Sequence, residues 1–230
     1  MNWNLILFSI FPYVALIIAV VVGIYRSLYR PFSISSLSSQ LLENKQLYWG
    51  SIPFHWGIVL ILLVHLLAIF FPKSLLLWNA QPLRLYLLEF TGLALGVWSL
   101  AGLVVLVWRR ISQPRIQAVT SFMDILVLVL LLVSVISGVI VATAYRFGSY
   151  WFSGIFTPYL LSLVVLQPRL DLITPLPLMI KLHVLNFFIL LLLLPFSRLV
   201  HIFTYPFGYL LRPWQIVIWY RKRGSESRPS

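Results

Sequence analysis

The 230-residue chain has no cysteine. Disulfides, cysteine-ligated iron–sulfur clusters and thioether-attached haem are therefore excluded from it. Acid is also scarce: 5 Asp and Glu stand against 17 Lys and Arg, for a net charge of +12. In a soluble protein that balance suggests nucleic acid. Here the basic residues lie between and after long apolar runs, so membrane topology and anionic lipid account for them, and no nucleic-acid partner is expected. No segment is long and polar enough for a separate soluble domain. Hydrophobicity dominates instead, with 61% apolar residues and a mean hydropathy of +0.97, well above soluble composition. The chain reads as an integral membrane protein. Its first apolar run follows Met-Asn-Trp-Asn directly, with no basic leader or clear small-residue cleavage site, and is read as a retained helix.

Runs of about 20 apolar residues, the length that crosses a bilayer, fall at 5–25, 52–71, 85–107, 122–145 and 178–199. The segment 155–166 is too short to span and contains Pro158; an interfacial or re-entrant piece is expected there. No internal repeat is visible, so residues 1–230 form one domain: an all-α, five-helix transmembrane bundle with a basic tail at 202–230. Arg26, Arg30, Lys45, Arg109, Arg110, Arg115 and the tail residues Arg212, Arg221, Lys222, Arg223 and Arg228 fall on one side. Lys73, Arg84, Arg146 and Arg169 fall on the other. The positive-inside rule then puts the N-terminus outside and the C-terminus in the cytoplasm. Lys181 and Arg198, near the ends of the fifth run, can snorkel either way.

Against this background four histidines stand out: His55, His65, His183 and His201. A histidine in lipid is costly and usually functional, although a single one often serves as an interhelical hydrogen bond. These four lie two by two, in or at the ends of the second and fifth runs. Antiparallel packing matches His55 with His201 and His65 with His183. Each pair could give two neutral imidazoles to one metal, and two such sites would form a stacked di-haem wire. The spacing permits this without demanding it, because ten residues cover about 15 Å of rise and eighteen about 27 Å; tilt and a bend at Pro195 would have to absorb the difference. Zinc and non-haem iron fit less well, since they usually add Cys or carboxylate ligands. Proton relay would prefer acids nearby, and the acids in spans, Glu89 and Asp124, both lie near span ends. For Glu89 a solvated interface position is preferred to a proton-accepting one. A haem-free anchor or a transporter remains the competing class, although neither inverted repeats nor a midplane acid is seen.

The segments SSLSSQLLENKQLYWGSIPFHWGIVLILLVH and PFSRLVHIFTYPFGYLLRPWQIV, with RRISQPRI leading to DILVLVLLL between them, resemble the gamma subunit of membrane-bound respiratory nitrate reductase. The resemblance covers nearly the whole chain, and its SSQ-LE-GS-FH and SRLVH motifs are specific. It implies a prokaryotic multi-pass membrane subunit with two haem b groups, the inner one held by His55 and His201 and the outer one by His65 and His183. It implies quinol oxidation on the outer side and electron delivery to an iron–sulfur beta subunit and a molybdenum catalytic alpha subunit that reduces nitrate. Arg198, within SRLVH, is a candidate haem-propionate partner, and Arg109, Arg110 and Arg115 are further inner-side candidates. A family lysine linked to quinol binding falls at Arg84, or at Tyr86 in a shifted alignment. Where the family often carries G-H-x-x-G, this chain has Val64-His65-Leu66-Leu67-Ala68. An equivalent subunit of another quinone-linked molybdenum or sulfur-cycle enzyme is the alternative within electron transfer. Trp56, Phe54 and Phe196 could pack on porphyrin, but belt or core packing explains such aromatics more often.

Overall fold

A computed structural model describes residues 3–29, 42–145 and 147–202. Arg30, Arg146 and the tail beyond Ile202, with Arg212, Arg221, Lys222, Arg223 and Arg228, lie outside the described residues. Among those described, the regular structure is entirely helical. Five helices are long and apolar enough to cross a membrane: Trp3–Tyr29, Lys45–Phe70, Pro82–Ser112, Phe122–Ala144 and Leu178–Phe196.

Their boundaries follow local chemistry. The third span starts with Pro82 in its first turn and ends at Ser112, ahead of Pro114. Proline is tolerated where the first N–H has no partner, and it disfavours helix in the residue before it. The fourth span opens with a capping box: the Ser121 side chain accepts from Asp124 N, and the Asp124 side chain accepts from Ser121 N, satisfying two orphan donors. The second span begins at Lys45, earlier than its apolar run, and carries Pro53 inside the helix.

The fifth span departs from the expected 178–199. Regular α-helix stops at Leu193, a 3-10 turn covers Leu194–Phe196, and Ser197 is extended (φ −109°, ψ 178°). A second 3-10 turn, Arg198–Val200, leads into His201. The segment expected to be interfacial or re-entrant is helical: Gly148–Trp151, a π-helical turn Phe152–Phe156, and Thr157–Val164. Left-handed residues flank it, Phe147 (φ 64°) and Leu166 (φ 59°). It is embedded in protein. The Tyr159 hydroxyl donates to Phe8 O (2.7 Å) and the Thr157 hydroxyl to Ala68 O (3.2 Å), while the Tyr13 hydroxyl donates to Leu163 O (2.9 Å). Backbone that stops short of crossing is tolerated at membrane depth only when it is covered in this way.

The spans pack in an open series. The second lies on the third, the third on the fourth, the fourth on the fifth, and the fifth on the first. The seam between the second and third is the tightest. A Cβ added at Gly102 would lie 2.6 Å from Gly50 O and from Phe54 N, and one at Gly57 would lie 2.8 Å from Leu95 O. Glycine here lets two backbones touch, the usual device for helix association in lipid. The second and fifth spans, which carry the histidines, are not among the closely packed pairs.

Candidate functional site

The bundle has two ends. At one end lie Arg26, Lys45, Arg109, Arg110 and Arg198, on the last turn of the first span, the first turn of the second, the last turn of the third, and the turn after the fifth. His55 and His201 are at this basic end. Their ring centres are 6.3 Å apart, with the planes inclined by 59°. The mismatch in spacing is resolved by the helix break. His183 to Leu193 is ten residues of continuous helix, the same rise as from His65 back to His55, and the two turns and the extended Ser197 absorb the remainder. Pro195 is part of this break rather than a bend in a continuing helix.

Each histidine has Nδ1 committed to an acceptor. His55 Nδ1 donates to Ser51 O (2.8 Å), with Ser51 Oγ at 3.0 Å. His65 Nδ1 donates to Ile61 O (2.8 Å) and His201 Nδ1 to Arg198 O (2.7 Å). Carbonyl oxygens only accept, so in the neutral ring the proton is on Nδ1 and the lone pair is on Nε2. For His183 the acceptor is Ser137 Oγ (2.8 Å), whose own proton goes to Ser134 O (3.0 Å). All four side chains are thus set in the same tautomer, with Nε2 available for ligation. Gly138 makes room for the His183 ring, since a Cβ there would come within 3.2 Å of its Cε1.

The opposite end contains His65 and His183, which lie near enough for their charges to interact. Phe152 packs edge-on against His65, with ring centres 4.8 Å apart and planes at 88°. His55 and His201 are brought into ring contact at the basic end, and His65 and His183 lie at the other end of the same two spans. Among the described residues there is no cluster of three or more His, Cys, Asp or Glu. A two-nitrogen site is what the arrangement offers.

The arginines are differently placed. Arg109, 4% exposed, pairs with Glu43 (2.6 Å) and also donates to Glu43 O. Arg110 and Arg198 converge on Asp124, at 3.5 and 3.1 Å. Arg115 is exposed. Arg84 stacks over Trp78, 5.2 Å from the ring centre, and its carbonyl accepts from Trp78 Nε1 (3.3 Å). Tyr86 lies beside Phe147. Trp56 and Phe196 are exposed on the surface, whereas Phe54 is buried in a cluster with Leu103 and Val135.

Glu89 is half-exposed near its span end and also has protein partners. Its Oε1 accepts from Ser149 N (2.9 Å) and Ser149 Oγ (2.6 Å), and Asn79 Nδ2 donates to that same hydroxyl oxygen (2.8 Å). Asp124 is 7% exposed, closed in by its cap and its two arginines. Ser51, Ser137 and Glu43 were not singled out from sequence. A serine four residues before His55 was a readable signal, since i and i+4 share a helix face; the Ser137 contact spans 46 residues and left none.

The family model described as nitrate reductase gamma subunit matches residues 4–220. The nitrate reductase gamma chain of Bacillus subtilis (strain 168) is 36% identical over 222 residues, covering 95% of this chain and 98% of that protein. The respiratory nitrate reductase 1 gamma chain of Escherichia coli (strain K12) is 31% identical over 222 residues, covering 93% and 96%. With five apolar spans and matches of this extent, the chain is a multi-pass prokaryotic membrane protein that belongs to the nitrate reductase gamma subunit family, the membrane-anchoring electron-transfer subunits of nitrate reductase complexes.

Proposed function

We propose that the chain binds two haem b groups in the space between its second and fifth spans, one between His55 and His201 and one between His65 and His183. The observation that carries this is the spacing of the basic-end pair. An imidazole–metal bond is about 2.0 Å and Nε2 lies about 1.1 Å from the ring centre, so two rings facing each other across one metal have centres about 6.2 Å apart; His55 and His201 are at 6.3 Å. Nδ1 commitment at all four histidines supports the same reading, because it fixes the tautomer that ligates through Nε2. So does the looser relation of the second and fifth spans, since closely packed helices lie about 8–10 Å apart and leave no room for a porphyrin between them.

Haem held by His55 with His201, and by His65 with His183, would supply one-electron transfer rather than substrate chemistry. The protein's part is then positional. The two ligands on the second span fix the separation of the sites. Ser51, Ile61, Ser137 and Arg198 hold the ring orientations. Phe152 closes one side of His65. Quinol is oxidised at the end carrying His65 and His183, with Arg84 at its rim, and electrons leave from the basic end to an iron–sulfur subunit and a molybdenum subunit that reduces nitrate. The excess of basic residues at the His55–His201 end supports a cytoplasmic location for it, with the N-terminus outside. Arg110 and Arg198 are the propionate candidates at that end, since a guanidinium has five donors and can serve a carboxylate beside Asp124.

The test is protohaem per chain in the purified complex, by pyridine haemochrome, with a dithionite-reduced spectrum. Two per chain with a b-type α band are expected. None in a folded, haem-replete preparation would return the histidines to packing roles and overturn the proposal.

A further inference from the structure

We propose that Asp124, on the fourth span, is a positioning residue for His201; this rests on the haem reading above. His201 is the one ligand candidate set beyond a break in its span: the extended Ser197 and the 3-10 turn Arg198–Val200 separate it from the helix that ends at Leu193, and it opens a new helical turn. The 3-10 turn before it has poorer hydrogen-bond geometry than an α-helix. Ser197 Oγ accepting from Leu199 N (3.2 Å) and the His201 N–H donating to Arg198 O and Leu199 O are local ties. A longer-range one runs through Arg198 in two directions. Its carbonyl accepts from His201 Nδ1 (2.7 Å), and its guanidinium Nε reaches Asp124 Oδ1 (3.1 Å).

Asp124 is suited to this by its own fixation. Oδ2 accepts from Ser121 N (3.0 Å) and faces Arg110 Nη1 (3.5 Å), while Asp124 N donates to Ser121 Oγ (3.2 Å). The two carboxylate oxygens divide the work, one capping the fourth span and the other holding the turn. Arg110 is steadied by Thr120 Oγ1 (3.2 Å). The orientation of the His201 ring thus refers back to the ends of the third and fourth spans through an ion pair whose carboxylate is buried and whose guanidinium is partly exposed. A half-exposed pair of this kind is a weak stabiliser, so what it contributes here is the fixing of one arrangement among several.

The experiment compares Asp124→Asn and Asp124→Glu in the intact complex. Haem content per chain and the low-temperature EPR g values of both ferric haems are read, with the His65–His183 haem as internal control. Asparagine keeps the size and one acceptor for the cap but loses the ion pair. The expected result is a shifted g value or partial loss of the haem that His201→Ala removes, no change in the other haem, and recovery in Asp124→Glu. Loss of the negative charge alone moves a potential but not ligand orientation or occupancy, so the g values and content report positioning. Two haems in the unmodified complex with unaltered g values and content in Asp124→Asn overturn this inference alone. No haem in the unmodified complex overturns the haem reading and this inference together. Should Asp124→Asn fail to assemble, Arg198→Gln breaks the same pair and leaves the cap whole; an unaltered signal there also overturns the inference.

Discussion

At the basic end, His201 hangs from a turn tied by Arg198 to Asp124, with the Glu43–Arg109 pair close by on the same face of the bundle. At the opposite end, His183 sits within continuous helix and is held by a hydroxyl, and His65 by the carbonyl one turn before it and the edge of Phe152. Charge orders one end and neutral hydrogen bonds and aromatic packing order the other. The difference follows from what lies beside each ligand: Asp124 caps the fourth span next to Arg198, whereas Ser137 lies in the middle of that span next to His183.

The largest effect separates the ends outright. His201→Ala is expected to leave one protohaem per chain with the opposite-end signals intact, and His183→Ala to leave the other; difference spectra of the two variants should be complementary. Loss of both haems in either variant would mean that the ends are not independent, and the comparison would collapse.

A second effect belongs to the charged end. Burial pushes the Glu43 carboxyl up, but the Gln46 N–H, the Arg109 guanidinium and the Leu47 N–H outweigh it and hold the group below its ordinary value. A carboxylate lowered in this way contributes stability above its unfolded pKa and loses it as pH falls through the folded value. Glu43→Gln should therefore lower stability at pH 7 by about 2 kcal/mol, the scale of a charge-assisted hydrogen bond. Thermal unfolding should show the difference from the unmodified protein shrinking below about pH 4. A gap that widens with acid would reverse the sign of the argument.

The smallest effect belongs to the neutral end. Ser137→Ala removes the acceptor for His183 Nδ1, making the imidazole a weaker donor to iron and favouring the ferrous state. One hydrogen bond is worth about 1 kcal/mol, so the midpoint potential of the opposite-end haem should rise by about 40 mV at most. Redox titration should find the other haem unmoved.

Much of this fold was legible because bilayer thickness forces it. Five apolar runs of spanning length gave five spans, and antiparallel order paired the histidines before any distance was known. The bond between Glu89 and Ser149 was not legible because the two are 60 residues apart and share no pattern. Lys45 to Trp49 extend the second span without an apolar signal, because Asn44 and Glu43 begin the helix by accepting its first N–H groups. Ser121 with Asp124 three residues later was a readable cap. Its coupling to Arg198 depends on how the fourth and fifth spans lie together, and a linear sequence does not encode that locally. Pro195 signalled a departure from helix, but not that Ser197 would be extended and that a 3-10 turn would separate His201 from the fifth span.

The glycine seam has a mechanical consequence. With Gly102 against Gly50 and Gly57 against Leu95, the second span can neither roll nor slide on the third without collision. It is the fixed jaw of a caliper, with two contact points about 15 Å apart along its axis. The other jaw is compound: a rigid segment ending at Leu193, followed by a short adjustable tip that carries His201. The gauge length is therefore a property of one helix. Sequence drift in the tip would retune a single gap, whereas one residue gained or lost between His55 and His65 would change the gauge length by about 1.5 Å and rotate one contact point relative to the other by about 100°.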